Sequence, residues 1–194
     1  MTSILYVKSS ILGEHSASGA VVDALHAHWL IKHVGASHVV RNLGAEALPH
    51  LDLATLGALR SETPQAAAAA GQKALQELLD ADTLVLAAPM YNFGIPSALK
   101  AWLDHVIHPG KTFQYGASGP EGLLKGKKAV LVLSTGGAYT EGPAKAMDFV
   151  EPYLRTVLGF IGITDVTVVR AEAQAMGDAG VSSKAKAIEA VRAL

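Results

Sequence analysis

Two short runs, residues 83–88 and 128–134, constrain this chain more than any other feature. Both are strand-sized and apolar at most positions, without the polar alternation of a half-exposed strand. A strand with no polar face has to be covered on both sides, as in a parallel sheet between two layers of helix. The rest of the chain supplies suitable partners. Residues 4–7 read as a first strand, 38–42 as a short second one and 164–170 as a last one. Helical patterns fill the intervals. Residues 16–33 place Val21, Val22, Leu25 and Trp29 near one face, and 66–80 carry a stripe of Leu75, Leu78 and Leu79. Pro96 suits the first turn of a helix, where its missing N–H costs nothing. Leu99, Trp102, Leu103 and Val106 then recur at helical spacing, with Lys100 and Asp104 on a polar flank. Further helices are expected over 146–158 and 182–193.

Five strands alternating with helices predict a doubly wound α/β domain spanning 1–194, with helices on both faces. The five-strand count favours a flavodoxin-like parallel sheet of order 2-1-3-4-5. Two segments break the alternation. Residues 49–64 carry little regular pattern. Residues 108–127 hold Pro109-Gly110, Gly116, Gly119-Pro120, Gly122 and Gly126, a density that marks a long loop or small hairpin. No internal repeat or linker interrupts the chain.

Composition removes several function classes. Charged residues are 17% of the chain and the formal net charge is -1, with no Lys/Arg cluster, so a nucleic-acid surface is not expected. Cysteine is absent, which excludes a disulfide framework, a thiolate zinc site and a cysteine nucleophile. The chain enters a strand pattern directly, without a basic segment and a long apolar run behind it, and no apolar stretch reaches membrane-spanning length. The expectation is a soluble, cytoplasmic protein.

Three loops should meet at the carboxyl edge of the sheet, where open α/β sheets bind ligands. The first runs from Lys8 to Ser18 into a helix N-terminus. There Ser10, Ser16 and Ser18 offer hydroxyls for a phosphate; an ordinary helix cap at Ser16 is the competing reading. The second is Met90-Tyr91-Asn92-Phe93-Gly94-Ile95, read either as a platform for a planar ligand or as core aromatics beside a tight turn. In the third, Ser134-Thr135-Gly136-Gly137-Ala138-Tyr139, paired glycines let backbone N–H groups approach a ligand; a plain turn is the alternative. Together the three suit an elongated, phosphorylated, planar cofactor. Competing motifs are missing: there is no Gly-x-Gly-x-x-Gly after the first strand, no phosphate-binding P-loop and no Gly-x-Ser-x-Gly elbow. His15, His105 and His108 form no metal-ligand motif; His105 reads as a helix-flank residue and His108 as a helix-end residue.

At these loops the chain resembles the FMN-dependent NADH-azoreductases, which are also NADH:quinone oxidoreductases. The resemblance covers nearly the whole length. It is carried by Lys8-Ser9-Ser10 with Ser16-x-Ser18, residues 89–96, Ala101-Trp102-Leu103-Asp104, Gly110-Lys111-Thr112-Phe113, Gly119-Pro120-Glu121-Gly122-Leu123, Gly126-Lys127-Lys128-Ala129, Ser134-x-Gly136-Gly137 and 158–163. It implies a flavodoxin-like homodimer with one FMN per subunit. By position, Ser10, Ser16, Ala17 and Ser18 would hold the phosphate, Ala17 through its backbone amide. Met90, Tyr91, Asn92 and Phe93 would line the flavin ring, and Ser134, Thr135, Gly136 and Gly137 its pyrimidine edge. Tyr115 and Phe160 match aromatics around the active-site opening, some of them from the partner subunit. Thr135 and Tyr139 fall where members differ and would shape substrate preference. The implied reaction takes hydride from NADH or NADPH and passes it to quinones or azo compounds by a ping-pong route. No side chain is then obligatory as acid or base, and Asn92 and Tyr139 are possible helpers. A flavodoxin-like electron carrier serving a protein partner, and a flavin-binding module without turnover, are the alternatives.

Overall fold

The computed structural model describes residues 2–61, 63 and 65–194; Met1, Glu62 and Pro64 lie outside the described residues, so the expectations touching them apply only to their neighbours. The elements follow in chain order. They are β1 (Ser3–Lys8), α1 (Ala17–Lys32), β2 (Ser37–Asn42), α2 (Leu53–Arg60), α3 (Ala69–Asp80), β3 (Thr83–Pro89) and α4 (Ser97–Val106). Then come β4 (Phe113–Gly116), β5 (Gly119–Gly122), β6 (Lys128–Ser134), α5 (Val150–Phe160), β7 (Asp165–Ala171) and α6 (Asp178–Arg192).

The main sheet is parallel with order β2-β1-β3-β6-β7, the expected 2-1-3-4-5 once the small hairpin β4–β5 is set aside. Alternate side chains of its central strands enter opposite cores. Leu84, Leu86 and Ala88 of β3 and Leu131 and Leu133 of β6 face Leu75, Leu78, Trp102, Leu103, Leu154 and Leu158 from α3, α4 and α5. Val85, Ala87, Val130 and Val132 face Val21, Val22, Leu25 and Trp29 of α1 and Ala187 and Val191 of α6. Two buried faces explain why these strands carry no polar alternation.

Several local expectations need correction. Within 49–61, α2 forms where no pattern was read: Asp52 caps it by accepting from the Thr55 amide at 2.7 Å. Its eight residues include Gly57, and Leu53 points outward, so no clear apolar stripe exists. The last strand lies one residue later than read. Residues 143–147 form a 3-10 turn, and α5 begins only at Val150, where Asp148 Oδ1 accepts the Val150 and Glu151 amides. The final helix starts at Asp178, four residues early, because Gly177 supplies a left-handed entry (φ 58°). His105 is buried rather than flanking, and its Nε2 pairs with the Pro49 carbonyl. His108 lies beyond the end of α4, with its ring nitrogens on the Leu59 and Pro109 carbonyls. Leu79 is only partly buried.

The segment over 108–127 closes as the β4–β5 hairpin, with Gly116 opposite Gly119. It docks where Gly122 meets the turn after α5. A Cβ on Gly122 would lie 2.1 Å from the Gly162 amide nitrogen, so only glycine permits this approach. At the far edge, β1 contributes a buried Tyr6 whose hydroxyl meets His38 Nδ1 of β2 at 3.1 Å, with the His26 ring 5.3 Å from that of His38. Burial pushes the Tyr6 phenol up, while burial and the nearby His26 and His33 hold His38 below the ordinary imidazole value.

Gly122→Ala should cost about 1–3 kcal/mol through overpacking, and so lower the thermal midpoint by several degrees; calorimetry checks it. The fold favours neutral His38, and an unfolded chain takes up that proton first as pH falls through about 6.5. The stabilisation is therefore complete above that pH and declines below it. Thermal midpoints measured between about pH 7.5 and 5 should fall with acid, and less steeply in His38→Asn.

Candidate functional site

The chain leaves β1 toward β2 on one side and β3 on the other, so a crevice opens beyond the carboxyl ends of β1 and β3. It encloses about 490 Å³, within the usual range for small-ligand sites. The register sets which residues arrive there: Lys8 stands opposite Ala87, and Pro89 opposite Ser134.

On the β1 side, Ser16 is the N-cap of α1, its Oγ accepting from the Gly19 amide at 2.9 Å. The capping reading therefore holds for this hydroxyl. The cap leaves the Ala17 and Ser18 amides without partners among the described residues, at the positive end of a 16-residue helix. Ser18 is itself fully buried, its Oγ 3.3 Å from that of Ser16, so its side chain stands behind the wall rather than in it. Ser10 Oγ lies 3.3 Å from the Tyr91 hydroxyl, which also accepts from the Ile11 amide at 3.2 Å. These bonds tie the loop after β1 to the loop after β3.

The loop after β3 is a tight turn. Tyr91 and Gly94 exchange both backbone hydrogen bonds, at 2.9 and 3.1 Å, and the two residues between them, Asn92 and Phe93, have φ of 49° and 69°. Two consecutive left-handed residues define a type I′ turn, normally occupied by asparagine and glycine. Asn92 obeys that preference and Phe93 violates it. Phenylalanine in this conformation costs on the order of 1 kcal/mol, and such strain clusters at ligand-contacting sites. The ring gains little burial in exchange, remaining 45% exposed.

After β6, the Ser134 carbonyl accepts from the Met90 amide at 2.8 Å, which locks this loop to the previous one. The carbonyls of Thr135, Gly136 and Gly137 accept from the amides of Gln174, Ala175 and Ala173, and Thr135 Oγ1 donates to Gly137. The Gly136 and Gly137 amides have no partner among the described residues. Neither glycine has a positive φ, and a Cβ there would meet only Ala175 at 3.7 Å or the Tyr139 ring at 3.4 Å. The chain's own packing does not demand these glycines; what they leave is open access to two free donors.

Of the residues expected from sequence, Ser10, Ser16, Ala17, Met90, Tyr91, Ser134, Thr135 and Gly136 line one crevice. Asn92, Phe93 and Gly137 stand outside that lining, on the adjoining loops. Phe93 meets Tyr139 edge to face, ring centroids 6.5 Å apart, and Tyr139 lines a neighbouring cavity. Tyr115 and Phe160 are brought together through Phe113, at 5.5 and 4.6 Å, but not to this chain's crevice. Sequence reasoning missed the opposite wall: Gln174, Ala175, Gly177, Gly180, Val181 and Lys184, with Leu12 and His15 at the rim. The available signal was Gly177-Asp178, a left-handed glycine before an acidic first turn.

An open parallel sheet of this order, with unpaired amides at two ends of a crevice at its switch point, defines a flavodoxin-like ligand-binding protein. The family description "Flavodoxin-like fold" matches residues 2–194. An FMN-dependent NADH:quinone oxidoreductase of Herminiimonas arsenicoxydans is 48% identical, over 94% of this chain and 92% of that one. Another of that name from Beijerinckia indica is 46% identical, over 100% and 99%. Among solved structures, an azoreductase from Bacillus anthracis superposes with TM-score 0.87 at 27% identity, covering both chains fully. An FMN-dependent NADH-azoreductase from the same species, in complex with FMN, also reaches 0.87, at 25% identity over 100% and 97%. The chain belongs to the FMN-dependent NADH:quinone oxidoreductase family.

Phe93→Gly should leave the apoprotein unchanged or stabilise it by up to about 1 kcal/mol, since strain is relieved and little burial is lost. Denaturant titration of the ligand-free protein checks it.

Proposed function

We propose that this chain is an FMN-dependent oxidoreductase that uses NADH to reduce quinones and, by the same site, cleaves aromatic azo compounds. The observation that carries the reading is two sets of unpaired donors about one crevice: Ala17 and Ser18 at the start of α1, and Gly136 and Gly137 in the loop after β6, with the strained turn nearby. The residues fit the cofactor. The free amides at the start of α1, with the Ser10 and Ser16 hydroxyls near them, suit a phosphate. Met90 and Tyr91 supply the surface against a flat ring, and Asn92 and Phe93 its edge. The unpaired Gly136 and Gly137 amides would stabilise negative charge on the pyrimidine edge of a bound flavin, as fixed dipoles that need no reorganisation.

FMN, when bound, would supply the two-electron relay between NADH and quinone. The protein's work is to bind, orient and tune. Water supplies protons, Asn92 and Tyr139 add at most a minor assistance, and no crevice side chain is obligatory as acid or base. The enzyme reading is supported over a carrier or a binding module by the names of relatives alike over nearly their whole length. NADH rather than NADPH follows from the same names.

We propose that the active unit is a homodimer. Tyr115 and Phe160 are large, exposed at 76% and 36%, and joined through Phe113, which supports a surface that a second copy would cover. Tyr115 and Phe160 then belong to the partner's opening rather than to their own. Among the described residues no helix is long and apolar enough to cross a membrane. A cytoplasmic setting accords with a sequence free of cysteine.

Purified protein reconstituted with FMN should be yellow and should bleach anaerobically on addition of NADH. Initial rates with a benzoquinone should give the parallel double-reciprocal lines of a ping-pong enzyme. A protein that takes up no FMN would sink the reading. Gly137→Leu should weaken FMN binding by about tenfold, or ~1.4 kcal/mol, with the fold retained because the chain leaves room for a Cβ; flavin fluorescence quenching measures it.

A further inference from the structure

Beside the crevice lies a second cavity of about 510 Å³, walled by Tyr139, Asp148, Glu151 and Arg170 among others. Its charged groups form a continuous path between the Phe93 turn and the Tyr139 loop. At one end, the Phe93 carbonyl accepts from the Phe149 amide at 3.2 Å. The neighbouring Asp148 fixes the start of α5 through its Oδ1, and its Oδ2 accepts from Arg170 Nη2 at 2.8 Å. The same Nη2 also bonds Glu151. At the other end, Glu172 Oε1 accepts the amides of Tyr139 at 2.7 Å and Thr140 at 3.0 Å, and its Oε2 accepts the Thr140 hydroxyl at 2.6 Å. Arg170 Nη1 stands 4.0 Å from Glu172. The Tyr139 ring then returns to the Phe93 ring, closing the path.

We propose that Glu172 and Arg170 are positioning residues for the electron acceptor: they set where Tyr139 and Phe93 stand, and hence the shape a flat aromatic acceptor meets at the crevice mouth. The proposal rests on the flavin-site reading above. Its geometric content is independent of that reading. Ala138, Thr140, Glu141 and Gly142 are exposed, and a loop of this kind has many conformations unless something holds it. A carboxylate taking two successive amides and a hydroxyl is such a hold, and bonds to an ionised acceptor are the strong ones. Glu172 follows β7 directly, so the hold is anchored on the sheet. Arg170 is not an ordinary surface ion pair. Its side chain is 18% exposed and Asp148 only 6%, and it gathers carboxylates from the strand end, the start of α5 and its first turn. Arg155 shares Glu151 from the outside at 2.7 Å. Burial pushes the Glu151 carboxyl up, but hydrogen bonds from Arg155 and Arg170 outweigh it and hold the group below its ordinary value. Glu151 therefore stays ionised as a partner for Arg170 at neutral pH.

Removing Arg170 would strand buried carboxylates and destabilise the protein as a whole, so Glu172 is the position to test. In the FMN-reconstituted enzyme, Glu172→Ala should raise the quinone KM about tenfold while kcat and the FMN dissociation constant each change less than about twofold. Glu172→Gln keeps an acceptor for both amides and should return the KM to within about twofold of the parent. A second readout needs no turnover. With fluorotyrosine at the five tyrosines, the ¹⁹F resonance assigned by Tyr139→Phe should narrow and shift in Glu172→Ala, with Tyr6 unchanged. An unmoved Tyr139 resonance, or an unchanged KM in Glu172→Ala, would overturn the proposal. Parent protein that takes up no FMN would instead defeat the flavin reading, and the Tyr139 resonance would still decide whether Glu172 holds the loop.

Discussion

The register between β3 and β6 is the constraint on which the rest of the molecule depends. Leu84 pairs with Ala129, Leu86 with Leu131 and Pro89 with Ser134. Because successive side chains point to opposite faces, a one-residue slip of β6 against β3 would turn its leucines toward α1 and α6 and its valines toward α3, α4 and α5. Both cores would be wrong at once. The register is therefore held by two independent packing surfaces, and the loops at its carboxyl end inherit that precision. The Met90 amide reaches the Ser134 carbonyl only because Pro89 and Ser134 are already opposite each other.

Beyond the sheet edge, two physical devices shape the site. One is the deliberate leaving of donors unpaired: the cap at Ser16 satisfies Gly19 and spares Ala17 and Ser18, while residues 173–175 consume the carbonyls of the glycine loop and spare its amides. The other is local strain carried on a rigid frame. Phe93 sits in a conformation that suits glycine, and the surrounding bonds from Gly94 and Phe149 hold it there. Both devices raise the free energy of the ligand-free protein slightly, a cost that the proposed flavin contacts would offset.

Much of this was legible in the sequence. The central strands announced themselves because burial on two faces leaves no polar positions, and strand order followed from the count. The serine and glycine loops were legible as neighbours at the sheet edge, but the sequence could not show that Ser16 is spent as the helix cap and Ser18 stands behind the wall. What was hidden has a common cause: it depends on contacts distant in sequence. Short α2 is stabilised by its Asp52 cap and by Ala58 and Leu59 against Ala68, not by periodicity. The starts of α5 and α6 are set by Asp148 and Gly177, single residues whose effect lies in backbone geometry. His105 looks polar in the sequence and is buried by a carbonyl from residue 49. The wall from Gln174 to Lys184 carries no motif, and enters the crevice only because α6 packs beside α1.

The β4–β5 hairpin has a consequence of a different order. It leaves the main chain path at Thr112 and returns at Leu123, and the Leu123 amide donates to the Thr112 carbonyl at 2.9 Å. That bond closes the excursion at its base, like a buckle on a strap. Length added between Ala117 and Ser118, at its tip, is invisible to the sheet, because Gly122 and Gly162 already fix how the hairpin leaves the body of the protein. The fold thus carries an excursion whose tip can change length without renegotiating either core, while its base at Thr112, Gly122 and Leu123 stays fixed.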